Sequence, residues 1–144
     1  MHGRILAVDV GARRVGLAIS DASGTLARPL ETMTVTSDAD AVERVARRVT
    51  ELAGEDDGLA AIVVGLPARL DGTSSPETAR AIAFVASLKT RTSLTIATEG
   101  ESLSSREAES RLAVRERDWR KRKEKLDAAA AAVILQDYLD RPRS

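Results

Sequence analysis

An α/β domain built on a five-stranded mixed sheet, with helices on both of its faces, is the fold this sequence predicts. Three observations carry it. Three strand-like segments open the chain with short connections, later apolar strands alternate with helical segments, and Ile62-Val63-Val64 is an unbroken apolar run. Short connections make antiparallel neighbours, whereas strand–helix alternation brings parallel pairing through right-handed crossovers. A continuous apolar run suits a strand covered on both faces. The length of 144 residues suits one domain spanning 1–144.

The first strand is expected near Arg4–Val10. Gly11 to Arg14 turns the chain into a second near Val15–Ser20. Asp21, Ser23 and Gly24 are turn formers, and a third strand follows near Leu30–Val35. Ser37 or Asp38 caps a helix over about Ala39–Ala53. Ala60–Gly65 is the apolar fourth strand, closed by Gly65 and Pro67. A polar loop, Ala68–Ser75, leads to a helix opened by Pro76 and running to about Leu88. Leu94–Ala97 is a short fifth strand. Ser104 or Ser105 begins another helix, and the last spans roughly Arg120–Leu139, stopped before Pro142.

Composition narrows the chemistry. Hydrophobic residues make up 43% and aromatics 2%, so the core is aliphatic. With no cysteine there are neither disulfides nor thiolate metal ligands. The single histidine, His2, sits at a terminus, which argues against a His-dependent hydrolase or a zinc site. Met1–Gly11 is too short for a signal peptide, and no apolar run approaches the ~20 residues of a membrane span. A cytoplasmic protein without membrane contact is the expectation. Net charge is zero but unevenly spread: eight acidic residues against three Arg in Glu31–Ala60, and seven basic against three acidic in Arg115–Lys125. Such a basic cluster binds phosphates locally or forms a solvated helix face.

Asp9 is the first chemical anomaly, since it ends the apolar strand Ile5-Leu6-Ala7-Val8 and precedes Gly11. Ligands of open α/β sheets gather at the carboxyl ends of central strands, although an Asp there also serves simply to cap the junction. Gly11 offers a turn conformation closed to other residues. Gly16 interrupts a strand where something must approach closely. Asp127 interrupts an apolar helix whose Ala128–Ala132 run lets its backbone lie close to the sheet. Asp-x-Gly before a second strand occurs in actin-like ATPases and sugar kinases, and in RNase H-like nucleases. The former need a second lobe, for which 144 residues leave no room.

Asp9-Val-Gly-Ala-Arg-Arg-Val-Gly-Leu-Ala-Ile-Ser-Asp21 resembles the opening motif of the YqgF/RuvX family of the RNase H-like superfamily. Val64-Gly-Leu-Pro-Ala-Arg-Leu-Asp-Gly-Thr-Ser-Ser-Pro76 resembles its Gly-Leu-Pro loop. Lys121-Arg-Lys-Glu-Lys-Leu-Asp-Ala-Ala-Ala-Ala-Ala-Val-Ile-Leu-Gln136 resembles its closing helix. The resemblance implies an RNase H-like fold and an acidic triad at Asp9, Glu101 and Asp127, acting as catalytic residues and metal ligands. The family's usual Asp-Glu-Arg-Leu reads Gly100-Glu101-Ser102-Leu103 here, so an acidic neighbour and an arginine are absent, and Glu99 partly replaces the former.

Three close carboxylates repel unless a hard divalent ion, Mg²⁺ or Mn²⁺, neutralises them. Two such ions about 4 Å apart activate water and stabilise a leaving oxygen, which makes the reaction phosphodiester hydrolysis. Arg13, Arg14, Arg69, Arg120, Lys121, Arg122 and Lys123 are the candidate nucleic-acid contacts around that centre. Trp119 and Tyr138 offer stacking surfaces, too few for sequence-specific single-strand readout. The implied function is a metal-dependent nuclease in 5′-end maturation of pre-16S rRNA, with RNA as partner. One rival is a Holliday-junction resolvase acting on branched DNA, which requires a dimer rather than a monomer. The other is a non-catalytic RNA- or ribosome-binding module, suggested by Gly100 and Ser102.

Overall fold

The computed structural model describes residues 3–66, 76–100 and 119–141, the last stretch in its side chains from residue 127 onward. Its elements are β1 (Arg4–Val10), β2 (Arg14–Ser20), β3 (Ala27–Thr34), α1 (Asp38–Ala53), β4 (Leu59–Leu66), α2 (Pro76–Lys89), β5 (Thr95–Gly100) and α3 (Trp119–Asp140). The expected loop at Ala68–Ser75 and the helix from Ser104 or Ser105 lie outside the described residues.

The five strands form one sheet in the order β3-β2-β1-β4-β5. The opening meander is antiparallel, β1 with β2 and β2 with β3. The strands that follow helices pair in parallel, β1 with β4 and β4 with β5. The sheet is therefore mixed, as the connection lengths predict.

Side-chain alternation along each strand divides the interior into two layers. Leu6, Val8 and Val10 of β1, with Val15, Leu17 and Ile19 of β2 and Ile62 and Val64 of β4, pack against α1 and α2. Ile5, Ala7, Ala18 and Val63 point the other way and pack against Ala131, Ile134 and Leu135 of α3. Each fully buried Leu or Ile contributes about 1.5–3 kcal/mol relative to exposure, which makes the two aliphatic layers the main source of stability.

Helix α1 starts where its sequence says it should. The Ser37 hydroxyl accepts from the Asp40 amide at 3.0 Å, and Asp40 Oδ2 accepts from the Thr36 amide at 2.9 Å. A cap of this kind is worth about 1 kcal/mol. The acidic excess around α1 is met by arginines: Glu31 and Glu51 with Arg48, Asp40 with Arg44, Glu43 with Arg91 and Asp38 with Arg80. Arg4 is buried and ties β1 to the end of α1 through Gly58 O, Leu52 O and Glu55 Oε1.

Two strands differ from expectation. β3 begins at Ala27, three residues early, and ends one residue early at Thr34. Arg28-Pro29 reads as loop, but β3 is an edge strand, where proline is tolerated. The turn before it is held by Asp21, which accepts from the Thr25 and Leu26 amides at 2.8 and 3.0 Å. Bonds from the Ser23 hydroxyl and those amides lower the Asp21 carboxyl to about 2. β5 starts at Thr95 and continues through polar Thr98 and Glu99, beyond the expected end at Ala97.

Candidate functional site

The site grows from one pairing in the sheet. Asp9 of β1 lies opposite Gly16 of β2. Alternation places both on the α3 side, because Ile5 and Ala7 on β1 and Ala18 on β2 pack there. A Cβ on Gly16 would collide with the Asp127 carbonyl oxygen and lie only 2.9 Å from the Ala128 nitrogen. The helix backbone thus occupies the space where a side chain would stand. The buried Ala128, Ala130 and Ala131 keep that stretch of α3 thin enough to approach. Gly16 is therefore the physical reason that Asp127 sits over the strand carrying the partner of Asp9.

Gly11 has a different reason from the expected one. Its backbone is not in the left-handed region, where Gly3, Gly24 and Gly58 are found. Its amide donates to Arg14 O at 2.9 Å, and a Cβ would lie 2.7 Å from that same oxygen. The turn excludes a side chain by crowding, not by dihedral angle.

Arg14, first residue of β2, shares the face of Gly16 and Ala18. Its Nε lies 3.0 Å from Asp127 Oδ2, with both side chains about a quarter exposed. Arg13 is exposed beside it, and its carbonyl accepts from the Val35 amide at 2.8 Å. Of the sequence-predicted residues, the structure brings Asp9, Arg14 and Asp127 together around Gly16, with Arg13 at the adjoining turn. Glu101 and Arg69 lie outside the described residues. Arg120, Lys121, Arg122 and Lys123 lie on the opening turns of α3, their side chains outside the described set.

Glu99 is the acidic residue whose environment sequence reasoning did not anticipate. It pairs with Gly65, faces the α3 side and is buried. Gly65 follows Val64, the partner of Val8, so Glu99 stands two strands from Asp9, about 10 Å across the sheet. Arg141 Nη2 lies 2.9 Å from Glu99 Oε1. Burial pushes the Glu99 carboxyl up, Arg141 opposes this, and Asp137 adds to it. Since Arg141 follows the end of α3, roughly 20 Å along the axis from Asp127, this pair is separate from the Arg14–Asp127 contact. The sequence signal was the position of Glu99 in β5, which the polar strand end concealed.

The donors suit a hard cation. Asp9 and Asp127 offer carboxylate oxygens alone, the chain has no cysteine, and Asp127 Oδ2 is buried yet compensated by a guanidinium. Among the described residues no group of three or more His, Cys, Asp or Glu closes around a point. Of the expected acidic triad, Asp9 and Asp127 are among the described residues and Glu101 is not. A cavity of about 200 Å³ between α1 and α2, lined by Val10, Arg80 and Phe84, lies on the other face of the sheet.

Residues 3–141 match the family described as RuvX: Holliday junction resolvase. The chain belongs to the RuvX family. A relative from Anaeromyxobacter sp. (strain K), 40% identical over 141 residues, is covered over 97% of its length by 96% of this chain. Another, from Thermoanaerobacter pseudethanolicus, is 39% identical over 139 residues, covering 95% of this chain and 96% of the relative. Both carry the name "Putative pre-16S rRNA nuclease". Among solved structures, Thermus thermophilus RuvC in complex with a Holliday junction substrate aligns with a TM-score of 0.53 at 16% identity, over 96% of this chain and 97% of that one. The fowlpox virus Holliday junction resolvase aligns with a TM-score of 0.57 at 13% identity, over 95% and 97%. At such identities the likeness concerns the fold, which is RNase H-like. Among the described residues of this RuvX-family chain, no helix is long and apolar enough to cross a membrane.

Proposed function

We propose that this RuvX-family protein is a divalent-metal-dependent nuclease that hydrolyses phosphodiester bonds during 5′-end maturation of pre-16S rRNA. The observation that carries the reading is the packing of α3 into the space left by Gly16, which sets Asp127 beside the strand pair bearing Asp9. Family membership and the names of relatives sharing nearly its whole length support the same chemistry and substrate.

Asp9, Asp127 and Glu101 would hold Mg²⁺ or Mn²⁺. A bound divalent cation offsets charge on the reacting phosphate and acidifies water. Gly16 lets α3 lie against the residue that pairs with Asp9, and rigid placement of charge is what such catalysis requires. Arg13 and Arg14 at the strand turn, with Arg69 and the run from Arg120 to Lys123, would hold flanking phosphates.

The description attached to the family favours a second reading, cleavage of four-way DNA junctions. Initial rates with Mg²⁺ and with Mn²⁺ on a pre-16S 5′ leader RNA, single-stranded DNA and a four-way junction discriminate the two. Cleavage of the leader RNA in preference to the junction is expected. Preference for the junction would transfer the assignment to resolution, and no cleavage of any substrate would leave a binding module.

A further inference from the structure

The arginines that open β1 and β2, Arg4 and Arg14, are held in very different ways. Arg4 is locked: its side chain is 10% exposed and bonds two backbone carbonyls and Glu55. Arg14 is 26% exposed, meets Asp127 through Nε, and stands beside the exposed Arg13 at a strand turn. A guanidinium has five N–H donors, more than one carboxylate can use. In β1–β2 register Arg14 is also the diagonal neighbour of Asp9, on the same face. It therefore contacts Asp127 and is a diagonal cross-strand neighbour of Asp9.

Charge balance gives this placement a consequence. Without a metal ion, Arg14 offsets the charge of Asp127. A divalent cation held by Asp9 and Asp127 would take over the Asp127 charge that Arg14 offsets and would repel the guanidinium. The nearest compensation is then the phosphate anion of the substrate, which a guanidinium can grip in bidentate fashion.

We propose that Arg14 is a counter-ion that changes partner, bound to Asp127 in the metal-free protein and passed to a substrate phosphate once the metal is bound. The inference rests on the nuclease reading and adds to it an order of events. Metal loading prepares the nucleic-acid contact, and Arg14 competes with metal in its absence. Arg14 is thereby a phosphate-positioning residue whose free-state partner is a metal ligand.

Calorimetric titration of Mn²⁺ into the wild type and Arg14→Gln, without nucleic acid, tests the competition. Arg14→Gln should bind Mn²⁺ about fivefold more tightly, the scale of removing one partly exposed ion pair. It should also bind a short single-stranded RNA about fivefold more weakly, with Mn²⁺ no longer strengthening that binding. In wild-type protein the Arg14 Nε–H resonance should shift on Mg²⁺ addition and again on adding RNA. This second measurement stands even if Arg14→Gln fails to fold. Unchanged or weaker Mn²⁺ binding by a folded Arg14→Gln, or an Arg14 resonance unmoved by bound Mg²⁺, would make Arg14 a static brace. Metal binding and RNA cleavage with such a static Arg14 would overturn this inference alone. Absence of metal binding by the wild type would overturn the nuclease reading as well.

Discussion

At Gly16 a single missing side chain determines where a carboxylate from a distant helix comes to rest. The obstacle to any substitution is backbone, the carbonyl of Asp127, which cannot rotate away as a side-chain end could. Gly16→Ala should therefore destabilise the protein by about 3 kcal/mol or more, the upper range for forcing extra atoms into packed structure. Urea unfolding of the variant measures this, and a loss below about 1 kcal/mol would mean that α3 can stand off the sheet at little cost. The need for close approach at Gly16 was legible in the sequence because glycine weakens a strand unless something uses the space. Its occupant was legible only through Asp127 and the alanines behind it. Glu99 was not legible, because a polar strand end looks the same whether a helix covers it or water does. Its burial and its pairing with Arg141 separate it from the Arg14–Asp127 contact, so Glu99→Gln should leave Mn²⁺ affinity within about twofold. Glu101→Gln should weaken that affinity about tenfold or more, as loss of a charged ligand to a hard cation requires. Calorimetry on the two variants checks the assignment, and the reverse ranking would place the third acidic position at Glu99.

At the scale of elements, the strands covered on both faces were the most predictable. β1 was expected at its observed bounds and β4 within one residue at each end, because an apolar run of that length has few other uses. The edges were less predictable. β3 carries Arg28-Pro29, a pair that reads as loop unless the neighbouring strand is known to leave an edge open. α3 was recognisable as a helix, yet its packing over β2 and β3 depends on small residues whose partner surface lies more than a hundred positions earlier. Its opening turns carry Arg120 to Lys123, next to the turn that leads into Asp127. If this run holds phosphates, changing Arg122 and Lys123 together to alanine should flatten the log–log salt dependence of single-stranded RNA binding. The change in slope should be about 1.4, since each lost phosphate contact on a single strand contributes about 0.7. Binding titrations over a range of salt concentrations measure it. An unchanged slope would assign the run to a solvated helix face.

For the whole molecule, the mixed sheet performs two separate tasks. Its α1 and α2 face holds the larger aliphatic layer, bordered by ion pairs that absorb the acidic excess of residues 31–60. Its α3 face holds the smaller layer and, at the end where β1 finishes, the carboxylates. Zero net charge gave no indication of a polyanionic partner, because the acidic and basic excesses lie in different parts of the chain. The fold class, the helices on both faces and the antiparallel pairing of β1 with β2 followed from sequence. The Arg14–Asp127 contact did not, since nothing in a linear pattern distinguishes an arginine facing water from one facing a carboxylate 113 positions away. If Asp9 holds the metal of a nuclease, initial cleavage rates of a pre-16S 5′ leader RNA with Mg²⁺ will separate wild type from Asp9→Asn, which keeps the shape and removes the charge. A folded Asp9→Asn variant should lose at least about a hundredfold in rate, the scale of losing one preorganised electrostatic contribution. A folded variant that cuts at the wild-type rate would mean that Asp9 holds no catalytic metal.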